Sequence, residues 1–206
     1  MEKFFKDLLN VPNSMSLLRI IITPTIIFFW FALDMPITAL ILGTVAGITD
    51  LFDGIVARKF NQVTELGALI DQLGDLVFES TAMLVGVMIG EVWAGVMIIY
   101  LFREFTVTVI RTYVFGNGGK LPSSNLGKAK SSLIQYAFFL LFLGSILLRP
   151  GTLPEEWTIC GIAPGRMMIW IALASLYTGI VVSLISGWTY LKSFARFYVD
   201  QIPAKN

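Results

Sequence analysis

Six long apolar stretches, at residues 16–33, 36–52, 66–89, 92–114, 126–148 and 167–191, dominate the chain. A helix needs about 20 predominantly apolar residues to cross the hydrocarbon of a bilayer, and each stretch has close to that length. The chain has 206 residues, 56% of them hydrophobic and only 14% charged, whereas about a quarter are charged in soluble domains. Charge is what a bilayer excludes, so the composition argues against a soluble single-domain enzyme, a disordered chain or a collagen-like fibre. The expectation is an all-α integral membrane protein of six transmembrane helices forming one domain over residues 1–206. Residues 1–14 read as a short interfacial amphipathic helix and the entry to the first span, with Phe4, Phe5, Leu8 and Leu9 opposite Lys3, Lys6 and Asp7. Ser14 or Ser16 is the expected cap of the first span. That span is too long for a signal peptide, has no small-residue cleavage site and is followed by further spans.

Basic residues set the orientation. Lys3 and Lys6, then Arg58 and Lys59, then Lys120, Lys128 and Lys130, and finally Lys192, Arg196 and Lys205 all fall on one side of the six-span arrangement. On the other side, the turns at residues 34–35 and 90–91 carry neither Lys nor Arg. Arg149 and Arg166 there are offset by Glu155 and Glu156. Both termini are therefore expected in the cytoplasm, with the protein in the inner membrane. No chemistry is assigned to the loop at residues 149–165.

The chain has no histidine and one cysteine, Cys160. This excludes an internal disulfide, Cys-based zinc clusters, His-liganded metals and Ser-His triads. Chemistry must run on carboxylates, Lys, Arg, hydroxyls and backbone. The informative stretch is Asp50-Leu51-Phe52-Asp53-Gly54-Ile55-Val56-Ala57-Arg58, followed by Gly67-Ala68-Leu69-Ile70-Asp71-Gln72-Leu73-Gly74-Asp75. On a helix, Asp50, Asp53, Gly54 and Ala57 share one face, and Gly67, Asp71 and Asp75 share another. The short connection makes the two helices neighbours, so the acidic faces can oppose each other.

Each carboxylate at membrane depth costs roughly 2.5–3.5 kcal/mol on insertion scales, before mutual repulsion. Oxygen-only ligands from facing helices suit hard divalent cations, Mg²⁺ or Mn²⁺. Two such ions about 3.5–4 Å apart would neutralise four carboxylates and keep positions open for phosphate oxygens. Gly54, Ala57 and Gly67 leave room for a substrate beside the acids, and Arg58 can fork onto a phosphate.

The pattern Asp50-x2-Asp53-Gly54-x2-Ala57-Arg58-x8-Gly67-x3-Asp71-x3-Asp75 resembles the signature of the CDP-alcohol phosphotransferase family at every fixed position. Pro12-Asn13 with Arg19, Arg103-Glu104-Phe105-x-Val107-Thr108-x2-Arg111, and Gly127-Lys128-x-Lys130 look like segments of bacterial phosphatidylglycerophosphate synthases. Family members are six-helix, usually dimeric membrane enzymes that displace CMP from a CDP-linked lipid or alcohol with a hydroxyl acceptor. The resemblance implies that Asp50, Asp53 and Asp71 bind divalent ions. It implies that Asp75 shares in metal binding or acts as the base on the acceptor hydroxyl. Gly54, Ala57, Arg58 and Gly67, with Asp50, would hold the CDP group.

The implied substrates are CDP-diacylglycerol and a hydroxyl acceptor, with glycerol-3-phosphate favoured and no nucleic-acid partner. Arg103, Arg111, Lys128 and Lys130, with Ser123 and Ser124 just before, can together cradle an acceptor phosphate. The alternative for Arg103 is a pair with Glu104 or Glu79, the lysines then marking the cytoplasmic boundary. The proline, alanine and lysine usual around the last two acids of such synthases are absent from Asp71-Gln72-Leu73-Gly74-Asp75-Leu76, and Glu79 adds an acid one turn on. This keeps open serine, inositol phosphate or a lipid hydroxyl as acceptor, or an amino alcohol carried on CDP and passed to diacylglycerol. A divalent-cation transporter is the reading from another class, because intramembrane acids also line ion paths. It gives no reason for the spacing of Gly54, Arg58 and Gly67.

Overall fold

The computed structural model describes residues 10–59, 65–119, 125–154 and 156–201, and for residues 50–59 and Lys128 it describes the backbone path alone. Six helices follow one another: α1 (Val11–Ile27, continued as a π-helical turn over Phe28–Ala32), α2 (Pro36–Lys59), α3 (Glu65–Met88), α4 (Ala94–Gly116), α5 (Asn125–Leu147) and α6 (Pro164–Gln201). Apart from an isolated bridge between Ile159 and Ile162, regular structure among the described residues is helical. Each helix coincides with one apolar stretch of the sequence.

The start of α1 differs from the sequence expectation. Asn10, not Ser14 or Ser16, is the N-cap, and its side chain accepts a hydrogen bond from the Asn13 backbone N–H at 3.0 Å. Pro12 falls in the first turn, where a missing N–H costs nothing. Residues 11–14 thus belong to the first turn of α1, and residues 1–9 of the expected interfacial helix lie outside the described residues. The other ends also run on. The second helix continues through the acidic motif to Lys59, and the last spans 38 residues, about 57 Å at 1.5 Å per residue.

Three helical segments are long and apolar enough to cross a membrane: Asn13–Ala32, Ala129–Leu147 and Pro164–Val199. The exposed surface agrees with a lipid environment. Along α4, Ile98, Phe102, Phe105 and Val109 form a stripe at spacings of four, three and four, and all are exposed. Water would penalise such a face, whereas lipid does not.

Two groups of three helices make up the bundle. The first joins α1 to α2 and α3; in the second, α5 lies along α6 over the longest contact and α4 packs on α6. Narrower contacts of α2 with α5, and of α3 with α4 and α5, tie the two groups together. One core gathers Met83, Tyr100, Ile134, Leu141, Ile169 and Leu176 from α3 to α6, and the other gathers Ile26, Trp30, Ala39, Val85 and Phe142. Near the start of α6 the chains meet backbone to backbone. A Cβ added at Gly144 would lie 2.7 Å from the Gly165 carbonyl oxygen, and one at Gly165 2.6 Å from that of Gly144. Only glycine permits so close an approach.

Candidate active site

The register of α3 puts Asp71, Asp75 and Glu79, each four apart, on one face. Gly67 stands one turn before Asp71 on the same helix. The aspartates meet Arg19 of α1. Its Nη2 donates to Asp71 Oδ1 at 3.0 Å and to the Asp71 carbonyl at 3.3 Å, and its Nη1 lies 3.4 Å from Asp75 Oδ1. The Arg19 side chain is 2% exposed, while those of Asp71 and Asp75 are 50% and 40% exposed. The cation is therefore sealed between helices, and the carboxylates remain accessible on their other side.

The acidic end of α2 approaches the same place along its backbone. The helices α2 and α3 run antiparallel, with Ala39 in one core cluster with Val85 and a Cβ at Gly47 4.0 Å from the Phe78 ring. Asp50 is one turn beyond Gly47 and Asp75 one turn before Phe78, so in an antiparallel pair both lie on the same side of that contact. Asp50, Asp53, Gly54, Ala57 and Arg58 occupy the last turns of α2, and their side chains lie outside the described residues.

Between α1, α2, α3 and α5 an apolar cavity of about 190 Å³ leads away from this end, lined among others by Gly43, Gly47, Phe78, Ala82, Phe138 and Phe142. Gly43 faces Ile26 of α1 at 3.6 Å, so the two glycines of this pair serve different neighbours. Gln72, standing where a proline is usual, donates from Nε2 to Thr108 Oγ1 of α4 at 2.7 Å and braces α3 beside the acids.

One turn deeper the structure assembles a buried polar group. Glu79, Tyr100, Arg103 and Lys130 are all buried, with Glu104 beside them. Lys130 Nζ donates to Tyr100 Oη at 2.7 Å, Glu104 Oε1 at 3.0 Å and Glu79 Oε2 at 3.1 Å. The Tyr100 hydroxyl donates to Glu79 Oε2, and Arg103 Nη1 pairs with Glu104 Oε1. Arg103 Nε donates to the Ser183 carbonyl at 2.8 Å, its chain lying against Gly187. Two cations and two carboxylates thus balance within the protein, as buried charges require.

Arg103 and Lys130 are brought together, but as partners of Glu104 and Glu79. Arg111 stands apart. Its Nη2 donates to Tyr190 Oη at 2.6 Å, its guanidinium lies 4.8 Å from the Tyr190 ring centre, and among the described residues no carboxylate pairs with it. The side chain of Lys128, and Ser123 and Ser124, lie outside the described residues.

Among the described residues no group of three or more ligating side chains is present. Asp71 and Asp75 nevertheless have the donor chemistry for a hard cation. They carry oxygen donors only, they are accessible, and one positive group already spans both. Of the residues around the acids, Arg19 was legible only as a charge within an apolar stretch. Tyr100 and Tyr190 gave no sequence signal of their own.

The family described as CDP-alcohol phosphatidyltransferase matches the chain over residues 9–181. A protein of Rickettsia bellii called CDP-diacylglycerol–glycerol-3-phosphate 3-phosphatidyltransferase is 28% identical over 192 residues, covering 92% of this chain and 97% of the relative. Proteins of the same name from Bacillus subtilis and Escherichia coli are 30% and 27% identical, covering 88% and 93% of this chain and 93% and 96% of the relatives.

Proposed function

The chain belongs to the CDP-alcohol phosphatidyltransferase family, and on that premise we propose that this transferase moves a phosphatidyl group from CDP-diacylglycerol to glycerol-3-phosphate and releases CMP. The observation that carries the reading is the pair of accessible aspartates, Asp71 and Asp75, sharing one buried cation at the end of α3. The name of the relatives supports the choice of acceptor.

In this reading the acceptor hydroxyl oxygen bonds to the phosphorus that carries diacylglycerol. The bond from that phosphorus to CMP breaks, CMP leaves with the bonding electrons, and the hydroxyl proton passes to a carboxylate oxygen of Asp75. Asp50, Asp53, Asp71 and Asp75 would hold Mg²⁺ or Mn²⁺, two ions in all. Such ions, when bound, neutralise the diphosphate and stabilise the leaving group. Gly54, Ala57, Arg58 and Gly67 would receive the nucleotide end, while the apolar cavity beside Phe78 suits acyl chain. All six helices would cross the inner membrane, with termini and site on the cytoplasmic side and two copies associating.

For the acceptor phosphate, Arg111 is the natural first contact, since no described carboxylate neutralises it. Arg103 and Lys130 would contribute only by exchanging Glu104 and Glu79 for phosphate oxygens. That balance favours a second reading, in which the neutral polar group accepts an amino-bearing acceptor such as serine. Purified protein with Mg²⁺, CDP-diacylglycerol and labelled glycerol-3-phosphate should give a labelled lipid and equimolar CMP. CMP release with serine or another acceptor, and none with glycerol-3-phosphate, would establish the second reading. No CMP with any acceptor would reject both.

A further inference from the structure

We propose that Arg19 is a positioning residue for the metal-binding aspartates, and that Gly74 exists at its position to let Arg19 reach them. This rests on the metal reading above and concerns residues that reading does not use.

The guanidinium engages one oxygen, Oδ1, of each carboxylate, together with the Asp71 backbone carbonyl. The other oxygen of each aspartate has no partner among the described residues. With the side chains 50% and 40% exposed, that second oxygen is available to a ligand from the open side. A planar fork with several fixed donors can hold two acceptors one helical turn apart in a set relation, which a lysine ammonium cannot. Its charge also offsets the repulsion between the two acids while no metal is bound. Both rotamers are thereby fixed before the ion arrives, so the ion does not bear the cost of ordering them.

The sequence makes room for this at one position. A Cβ on residue 74 would lie 2.6 Å from Arg19 Nη2, 2.9 Å from Nε and 3.1 Å from Cζ. The guanidinium lies flat on the helix where a side chain would otherwise project. A glycine inside a helix costs about 1 kcal/mol relative to alanine, and here the gain that offsets it is the clamp. Thr23 contributes from α1, its hydroxyl donating to the Arg19 carbonyl at 2.7 Å.

A competing role is that Arg19 merely occupies the cation site, in which case removing it would strengthen metal binding. The two roles predict opposite signs. The test measures Mn²⁺ binding to the full-length protein in detergent by electron paramagnetic resonance, without substrates. Partners that orient metal ligands typically account for 10–100-fold in affinity. Arg19→Gln should therefore weaken Mn²⁺ binding at least 10-fold. Arg19→Lys should recover only part of it.

Gly74→Ala should weaken binding to a similar extent, although it removes no charge and favours the helix. That variant also guards against misfolding as the cause, because its thermal midpoint should stay at or above wild type. Unchanged or tighter binding in Arg19→Gln or Gly74→Ala, with wild type binding Mn²⁺ normally, overturns the inference and leaves the metal reading standing. Failure of wild type to bind Mn²⁺ overturns both.

Discussion

Removing Lys130 should expose how much the buried polar group holds the two helix trios together. In Lys130→Met the chain length and apolar stem are kept, but the ammonium that reaches Tyr100, Glu104 and Glu79 is gone. Glu104 retains Arg103. Glu79, at 2% exposure, is left with the Tyr100 hydroxyl as its remaining described partner. The count of buried charges moves from two against two to one cation against two anions. Breaking one side of a buried pair costs about 3–5 kcal/mol.

In Glu79→Gln/Lys130→Met one anion and one cation remain, Glu104 and Arg103, and the amide can still meet Tyr100. The double variant should therefore lie within about 2 kcal/mol of wild type and be more stable than Lys130→Met alone, a coupling of about 2 kcal/mol. Unfolding in mild detergent, followed by circular dichroism against added denaturing detergent, measures all four corners of the cycle. A Lys130→Met protein within about 0.5 kcal/mol of wild type, or a double variant no more stable than it, would refute the reasoning.

Asp71→Asn should abolish CMP release while leaving the unfolding midpoint near wild type, as read by a discontinuous CMP assay beside a thermal melt. Arg111→Gln removes a charged donor worth about 1.5–3 kcal/mol, so the KM for glycerol-3-phosphate should rise about 10–100-fold with little change in that for CDP-diacylglycerol. Gly144→Ala forces a Cβ to within 2.7 Å of the Gly165 carbonyl oxygen; a loss of about 1–3 kcal/mol is expected in detergent unfolding, without change in KM.

The positions of the helices were legible because each is an unbroken apolar run, and the face shared by Asp71 and Asp75 because four-residue spacing needs nothing but helical geometry. The N-cap was missed by a few residues. Asn10 just before a helix with Pro12 in its first turn was an available signal, but the apolar run starts later and drew attention to Ser14 and Ser16. The Arg19 clamp was beyond reach, since its partners lie 52 and more residues away and the register between α1 and α3 is set by packing. Glu79 was visible as an extra acid and Arg103–Glu104 as a possible pair. Lys130 as the group joining them depends on how α5 turns against α3 and α4, and no local pattern encodes that.

The helices divide along the same line as the charges. The aspartates arrive on α1 to α3, and the arginines and lysine thought to face the acceptor arrive on α4 and α5, with Glu79 reaching across from α3 to meet them. Such an arrangement lets one half drift in what it recognises while the other keeps its ions. A change of acceptor would ask for substitutions on the later helices and at one crossing glutamate, and for none among the aspartates.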